Sequence, residues 1–147
     1  MNDQLVIEER VFFDFDGWEL REAGRAQLLE IARRYEESGD RWAALVISGH
    51  ADTRGAEHYN VDLSRKRADA VRDFLGDHGV PAGIVEMQAW GETRPEIADA
   101  ESEHDHQVNR RVQFEIVWSP GMRPEGEAPQ SVPPEPDYVD PAPPARR

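Results

Sequence analysis

Apolar residues occupy every second position near the end of the chain, at Val112, Phe114 and Ile116. This alternation is typical of a β-strand with one buried face and one exposed face. Residues 11–15, 43–48 and 85–90 also predict strands, because each segment is short and rich in residues that favour extended backbone. The pattern as a whole predicts four strands.

Two longer segments repeat their apolar residues with the period of an α-helix. The first, residues 18–38, places one set of residues on a single face: Leu20, Ala23, Gln27, Leu28, Ile31 and Tyr35. The second, residues 60–78, ends before Gly79 and Pro81, a combination that commonly terminates helices. The order strand, helix, strand, helix, strand, strand predicts a two-layer α/β or α+β sandwich with both helices on one sheet.

The composition of the chain changes after Trp118. Of the 11 prolines, nine lie between Ser119 and Arg147, a segment with few apolar residues to offset the entropy lost on ordering. We therefore expect residues 1–118 to form the folded domain and residues 119–147 to form an extended, disordered tail.

Charge and hydropathy exclude several classes of partner. The formal net charge of −13 argues against nucleic acid and anionic membrane, because both require a basic surface. No segment approaches the roughly 18 consecutive apolar residues of a transmembrane helix. The first residues lack the basic and apolar regions of a signal peptide, and the chain has no cysteine to carry a lipid, a disulfide or a thiolate metal site.

Histidine and carboxylate residues, which can act in catalysis or bind metals, are present, but not in the arrangement of a known catalytic or metal-binding motif. His50, Asp52, Glu57 and His58 lie close in sequence, as do residues 104–106 (His-Asp-His). Neither group has the histidine spacing of a zinc protease or the oxygen pattern of a calcium loop. There is no cysteine nucleophile and no Gly-x-Ser-x-Gly elbow. We expect no metal, no cofactor and no enzymatic activity.

One charged residue lies on the predicted inward stripe of the second helix. At about 100° per residue the stripe contains Asn60, Leu63, Arg67, Val71, Phe74 and Leu75. A guanidinium on this face is costly unless it is paired or lies in a polar cleft. Asp52 is a candidate partner, because it lies in the loop after the second strand and before this helix.

Two interpretations of Asp52 and Arg67 remain open on spacing alone. In the first, which spacing slightly favours, Asp52 pairs with Arg67 or caps the helix, and the pair only holds the loop. In the second, the carboxylate receives an ammonium group and the guanidinium a carboxylate, so that the two together bind an amino-acid-like zwitterion.

The residues around Asp52 and Arg67 resemble the OmpA-like C-terminal domain family, and within it the peptidoglycan-associated lipoproteins. The resemblance rests on residues 49–55 (GHADTRG), 57–60 (EHYN) and 63–68 (LSRKRA), with residues 13–16 (FDFD) upstream and residues 79–81 (GVP), 91–92 (GE), Pro95 and 109–112 (NRRV) downstream. It covers about residues 8–118. It implies an α+β fold of βαβαββ order, with a mixed four-stranded sheet and two helices on one face.

The resemblance also implies a function and a site. The family binds diaminopimelate in the stem peptide of peptidoglycan and thereby anchors the envelope to the wall, in the periplasm and in association with the outer membrane. Asp52 would receive the ammonium group and Arg67 the carboxylate, with loop contacts from Phe15 and Asp16. Arg54, Asn60 and Leu63 would line the cleft, and residues 109–111 would mainly support the loops.

The alternative is a protein-interaction module on the same scaffold, which binds other envelope proteins but not the wall. This chain departs from the family pattern in two ways: its first residues show no export signal, and it has a proline-rich tail.

Overall fold

The computed structural model describes residues 4–54, 56–124 and 134–136. Within them lie four strands: β1 (Gln4–Phe12), β2 (Trp42–Gly49), β3 (Val85–Ala89) and β4 (Arg111–Trp118). The α-helices of these residues are α1 (Glu22–Ser38), α2 (Glu57–Asp77) and the short α3 (Glu103–Asn109).

The four strands form one mixed sheet in the order β1-β4-β2-β3. Strand β4 is antiparallel to both β1 and β2, whereas β2 and β3 are parallel. A parallel pair requires a crossover connection, and α2 provides it. The predicted α+β fold with a mixed four-stranded sheet is confirmed.

Helices α1 and α2 pack on the same face of the sheet and close a single apolar core. The sheet contributes its alternate positions: Leu5, Ile7, Val11, Leu45, Ile47, Val112, Phe114 and Ile116. The helices contribute Leu28, Ile31, Val71 and Leu75, which agree with the predicted helical stripes, and Ala68, which the predicted stripe did not include. At the far end of the core, the ring of Trp42 makes edge-to-face contacts with Tyr35 and Trp118.

The first strand begins earlier than its sequence pattern indicates. Strand β1 starts at Gln4 and ends at Phe12, whereas the alternation predicts residues 11–15. From Ile7 to Val11 it advances four residues while β4 advances only two, from Phe114 to Val112. Within this irregular segment Glu9 occupies a buried position between Ile7 and Val11, so a charged residue interrupts the apolar alternation of the strand.

The predicted first helix also starts too early, because residues 13–21 form a loop. Asp16 adopts a left-handed backbone with φ of 62°, and the amide of Gly17 donates to the carbonyl oxygen of Asp14 at 3.0 Å. The guanidinium of Arg21 then lies 3.1 Å from the carboxylate of Asp14. Helix α1 therefore begins only at Glu22.

Helix α3 is an element that the apolar pattern misses. Its seven residues are too few to establish a helical period. Its sequence does carry a capping signal: the hydroxyl oxygen of Ser102 accepts a hydrogen bond from the amide of Asp105 at 3.0 Å.

The structure describes only a small part of the predicted tail. Most of residues 119–147 lies outside the described residues, so the disordered tail stays a prediction. In the described part, the carboxylate of Glu135 lies 3.2 Å from Nε2 of His104 in α3. None of the helices in residues 4–54 and 56–124 has the length and apolarity required to cross a membrane.

The contact of β2 with α2 predicts opposite effects for two glycine substitutions. A Cβ atom at Gly49 would overlap the backbone carbonyl of Ser64, whereas one at Gly76 meets no atom within 4 Å. We expect Gly49→Ala to lower the free energy of unfolding by about 1–3 kcal/mol. Gly76→Ala, the matched control in a helix, should raise it by about 0.5–1 kcal/mol. Urea denaturation measures both, and equal effects of the two substitutions would contradict this packing.

Candidate ligand-binding site

A cavity of about 550 Å³ lies between the loop after β1, the loop after β2 and the first turns of α2. Its lining is formed by Phe15, Asp16, Ala51, Asp52, Arg54, Ala56, Tyr59, Asn60, Leu63, Arg67 and Arg110. All seven residues that the sequence analysis assigns to ligand binding are among them. The structure thus brings together residues that lie up to 52 positions apart, from Phe15 to Arg67.

Arg67 lies at the base of this cavity and is fully buried. Its guanidinium donates to three backbone carbonyls: Nε to Gly17 at 2.7 Å, Nη1 to His50 at 3.0 Å and Nη2 to Asp14 at 3.1 Å. Burial, together with the positive charge of Arg110, lowers the pKa of Arg67 to about 9. The guanidinium is therefore anchored by neutral oxygens rather than neutralised by a direct ion pair.

Asp52 is held by two other arginines. Its Oδ2 accepts hydrogen bonds from Arg110 Nη1 at 2.8 Å and Arg54 Nη2 at 2.9 Å, and its Oδ1 accepts one from the amide of Arg54 at 3.0 Å. Burial raises the pKa of Asp52, but these hydrogen bonds outweigh it and hold the pKa below its ordinary value. The ion pair between Asp52 and Arg67 that spacing slightly favoured is wrong for this structure, because Asp52 pairs with Arg54 and Arg110.

Arg110 is a cavity residue that the sequence analysis placed among the loop supports. It is 1 % exposed, and it also donates to the carbonyl of Phe13 and to the side chain of Gln107, both at 2.9 Å. A signal was present in the sequence, because residue 110 has the same parity as the inward-facing Val112 of β4. Asn109 does support a loop: its amide group binds both the N–H and the carbonyl of Ile97.

The rim of the cavity is built from stacked and bridged side chains. The guanidinium of Arg54 lies 4.7 Å from the ring centre of Phe15 and donates to Glu103 of α3 at 2.8 Å. The hydroxyl of Tyr59 donates to the carboxylate of Asp16. These contacts connect four segments of the chain around one opening: the loop after β1, the loop after β2, α2 and α3.

Asn60 lines the cavity, as the resemblance implies, and its side chain also makes contacts within the protein. Its side-chain amide nitrogen contacts the carbonyls of Asp52 and Arg54 and the carboxylate of Glu92, at 3.2, 3.0 and 2.8 Å. These contacts use its donors to hold the loop after β2. The roles of Asn60 and Leu63 as ligand contacts stay predictions.

The lining of the cavity carries more positive than negative charge. Arg54, Arg67 and Arg110 supply three guanidinium groups, whereas Asp16 and Asp52 supply two carboxylates. This balance is the reverse of the chain's overall net charge of −13. The cavity is therefore suited to a small ligand that carries a carboxylate.

The histidine-containing segments do not form a metal site in the part of the chain that the structure describes, where no three potential ligands cluster. His104 is half-exposed on α3 and contacts Glu135. His50 lies at the end of β2, with its backbone carbonyl bound to Arg67.

The sequence profile of the OmpA family matches residues 12–110, and the chain belongs to this family. It is 36 % identical to outer membrane porin F of Pseudomonas aeruginosa over 114 residues, and 34 % identical to the peptidoglycan-associated lipoprotein of Brucella melitensis over 109 residues. These matches cover 75 % and 72 % of this chain. They cover 31 % of the porin and 61 % of the lipoprotein, so the chain spans only part of either relative.

A solved structure extends the similarity to three dimensions. The peptidoglycan-associated lipoprotein of Burkholderia pseudomallei superposes with a TM-score of 0.67 at 30 % sequence identity. The match covers 74 % of this chain and 89 % of that one. The family resemblance drawn from the motifs is thereby confirmed.

His50 gives the domain a predictable dependence on pH. The imidazole is 4 % exposed, and its Nδ1 has no hydrogen-bond partner among the described residues. Burial and the charges of Arg111, Arg94 and Arg10 lower the pKa of His50 from 6.5 to about 3. Its contribution to stability is therefore complete above pH 6.5 and is lost as the pH falls toward 3, because only the unfolded chain gains the proton.

We expect the free energy of unfolding to fall by about 1 kcal/mol between pH 6 and pH 5 because of His50, and His50→Gln to remove this component. The contribution of Asp52 to stability is lost only as the pH falls below the ordinary pKa of its carboxyl group, 3.8. This value lies outside the interval from pH 6 to pH 5. Urea denaturation at the two pH values measures the difference. Parallel pH profiles for the two proteins would show that His50 is not responsible.

Proposed function

We propose that this domain binds peptidoglycan non-covalently, through the diaminopimelate residue of the stem peptide, and so anchors the cell envelope to the wall. The names of the lipoprotein relatives support the general class of binding. The observation that carries the ligand assignment is Arg67, a buried guanidinium at the base of a cavity that also contains Asp52.

The ammonium and carboxylate of an amino-acid centre match the hydrogen-bonding capacity that remains at these two residues. A guanidinium has five N–H donors, and Arg67 uses three of them on carbonyls. A carboxylate has about four acceptor sites, and Asp52 uses three of them on arginine donors. A ligand carboxylate would meet the open donors of Arg67, and a ligand ammonium the open acceptor of Asp52.

Diaminopimelate is distinguished from lysine by the carboxylate beside its terminal ammonium. A lysine side chain would satisfy Asp52 alone and leave Arg67 without a counter-charge in a buried position. Removing one partner of a buried charged hydrogen bond costs more than the bond itself contributes, so the cavity should discriminate between the two residues.

The proposed activity is binding without catalysis, in the periplasm and in association with the outer membrane. The relatives named above are a porin and lipoproteins, and their names place them in the cell envelope. Within the described cavity, the charged side chains serve in hydrogen bonds to the protein itself, as expected of a recognition site.

Calorimetry with the tripeptide L-alanyl-γ-D-glutamyl-meso-diaminopimelate tests the proposal. We expect the wild-type protein to bind this peptide at least about tenfold more tightly than the analogue with lysine as its third residue, because the lysine lacks one charged hydrogen-bonding group. Equal affinity for the two peptides would contradict recognition of diaminopimelate. No binding of either would contradict the proposed function.

The role of Asp52 is tested by Asp52→Asn, which keeps the shape of the side chain and removes its charge. We expect the affinity for the diaminopimelate peptide to fall about 10- to 100-fold, because the ligand ammonium loses its counter-charge. Asp73→Asn, on an exposed part of α2 where Asp73 pairs with Arg72, is the matched control and should bind like the wild type. Equal affinities of both variants would exclude Asp52 from the site.

Arg67→Lys tests the second charge, with a stability measurement alongside it. Lysine keeps the positive charge but cannot bind three carbonyls and a ligand carboxylate together, so we expect a loss of affinity of about tenfold or more. The free energy of unfolding of this variant, measured in urea, shows whether the loss of affinity arises at the site or from unfolding of the protein. Wild-type affinity in a folded Arg67→Lys variant would exclude the proposed carboxylate contact.

A further inference from the structure

A second cavity of about 340 Å³ adjoins the first along α2. It is lined by Tyr59, Asp62, Leu63, Arg65, Lys66 and Asp69. Tyr59 and Leu63 line both cavities, so the two lie on either side of these side chains. The second cavity is therefore within reach of the part of a larger ligand that extends beyond the first.

The second cavity is lined by two cations, Arg65 and Lys66, and two carboxylates, Asp62 and Asp69. Of its two carboxylates, Asp69 lies 3.7 Å from Arg72, outside the cavity lining. Among the residues that the structure describes, neither Arg65 nor Lys66 forms an ion pair. The second cavity therefore offers two cations without an ion-pair partner among the described residues, in a chain with a net charge of −13.

An exposed aromatic ring holds one of these cations at the groove. Trp18, in the loop after β1, is 43 % exposed, and the ammonium of Lys66 lies 4.3 Å from its ring centre. A cation–π contact limits the positions of the lysine side chain without neutralising its charge. Lys66 thus remains available to an anion while it is held near the second cavity.

We propose that this second cavity is a subsite for a free carboxylate of the wall peptide next to diaminopimelate. The inference rests on the proposed function. In a stem peptide the adjacent D-glutamyl residue is linked through its side chain, which leaves its main-chain carboxylate free. Arg65 and Lys66 bind this carboxylate, and the subsite therefore distinguishes a free from an amidated glutamyl residue.

The test compares the tripeptide L-alanyl-γ-D-glutamyl-meso-diaminopimelate with the same peptide amidated at the glutamyl carboxylate. At low ionic strength we expect the wild-type protein to bind the free form about three- to tenfold more tightly, since two exposed ion pairs are each modest. The preference should decrease as salt is added, because screening weakens contacts between exposed charges.

The double variant Arg65→Gln/Lys66→Gln should bind the two peptides with affinities within about twofold of each other. Its affinity for the amidated peptide should match that of the wild type, because the diaminopimelate cavity is unchanged. Arg25→Gln/Arg33→Gln, on exposed positions of α1, removes the same charge elsewhere and is the matched control. The control should retain the preference for the free form.

The outcomes separate the two proposals. If neither peptide binds the wild-type protein, the proposed function itself fails. If both peptides bind equally well, the subsite is overturned while wall binding stands. Retention of the preference in the Arg65/Lys66 variant, or its equal loss in the α1 control, would also overturn the subsite, because the effect would not arise from these two side chains.

Discussion

The arrangement of the site depends on one buried guanidinium, that of Arg67. It binds carbonyls of Asp14 and Gly17 in the loop after β1 and of His50 at the end of β2. A single side chain of α2 therefore fixes two loops that are distant in sequence. Burial of the charge is costly, and three charge-assisted hydrogen bonds offset part of that cost without supplying a negative charge. The same interaction that organises the loops leaves the cavity with an unneutralised cation.

Asp52 and its two arginine partners form a second group of charges in the cavity. Arg54 and Arg110 converge on Asp52, so the carboxylate is oriented by two cations, of which Arg54 also pairs with Glu103. Preorganised groups of this kind do not have to move when a ligand binds, which lowers the entropic cost of association. The three guanidinium groups of the cavity are thus placed by the contacts that hold its loops, and they make the cavity suited to a carboxylate in a chain of net negative charge.

The sequence predicted features that depend on one element and missed those that depend on contacts between elements. Arg67 was predicted to face inward because the period of a single helix determines its direction. The partners of Asp52 were not predictable in this way, since Arg110 lies 58 positions away and reaches it only after β4 has paired. The start of β1 was missed because Glu9, a charged residue at a buried position of the strand, interrupts the apolar alternation. Helix α3 was too short for any periodic pattern.

The segment that this chain shares with its family contains the whole lining of the cavity. The chain matches only 31 % of the porin and 61 % of the lipoprotein, so proteins of different overall organisation share the same domain. A recognition site that depended on the rest of either protein would not be carried by this part alone. In this structure every residue lining the cavity lies within residues 15–110, almost the same span as the family match at residues 12–110. The cavity and the fold are therefore one unit, and the residues on which the proposed wall binding rests lie in the segment that the family shares.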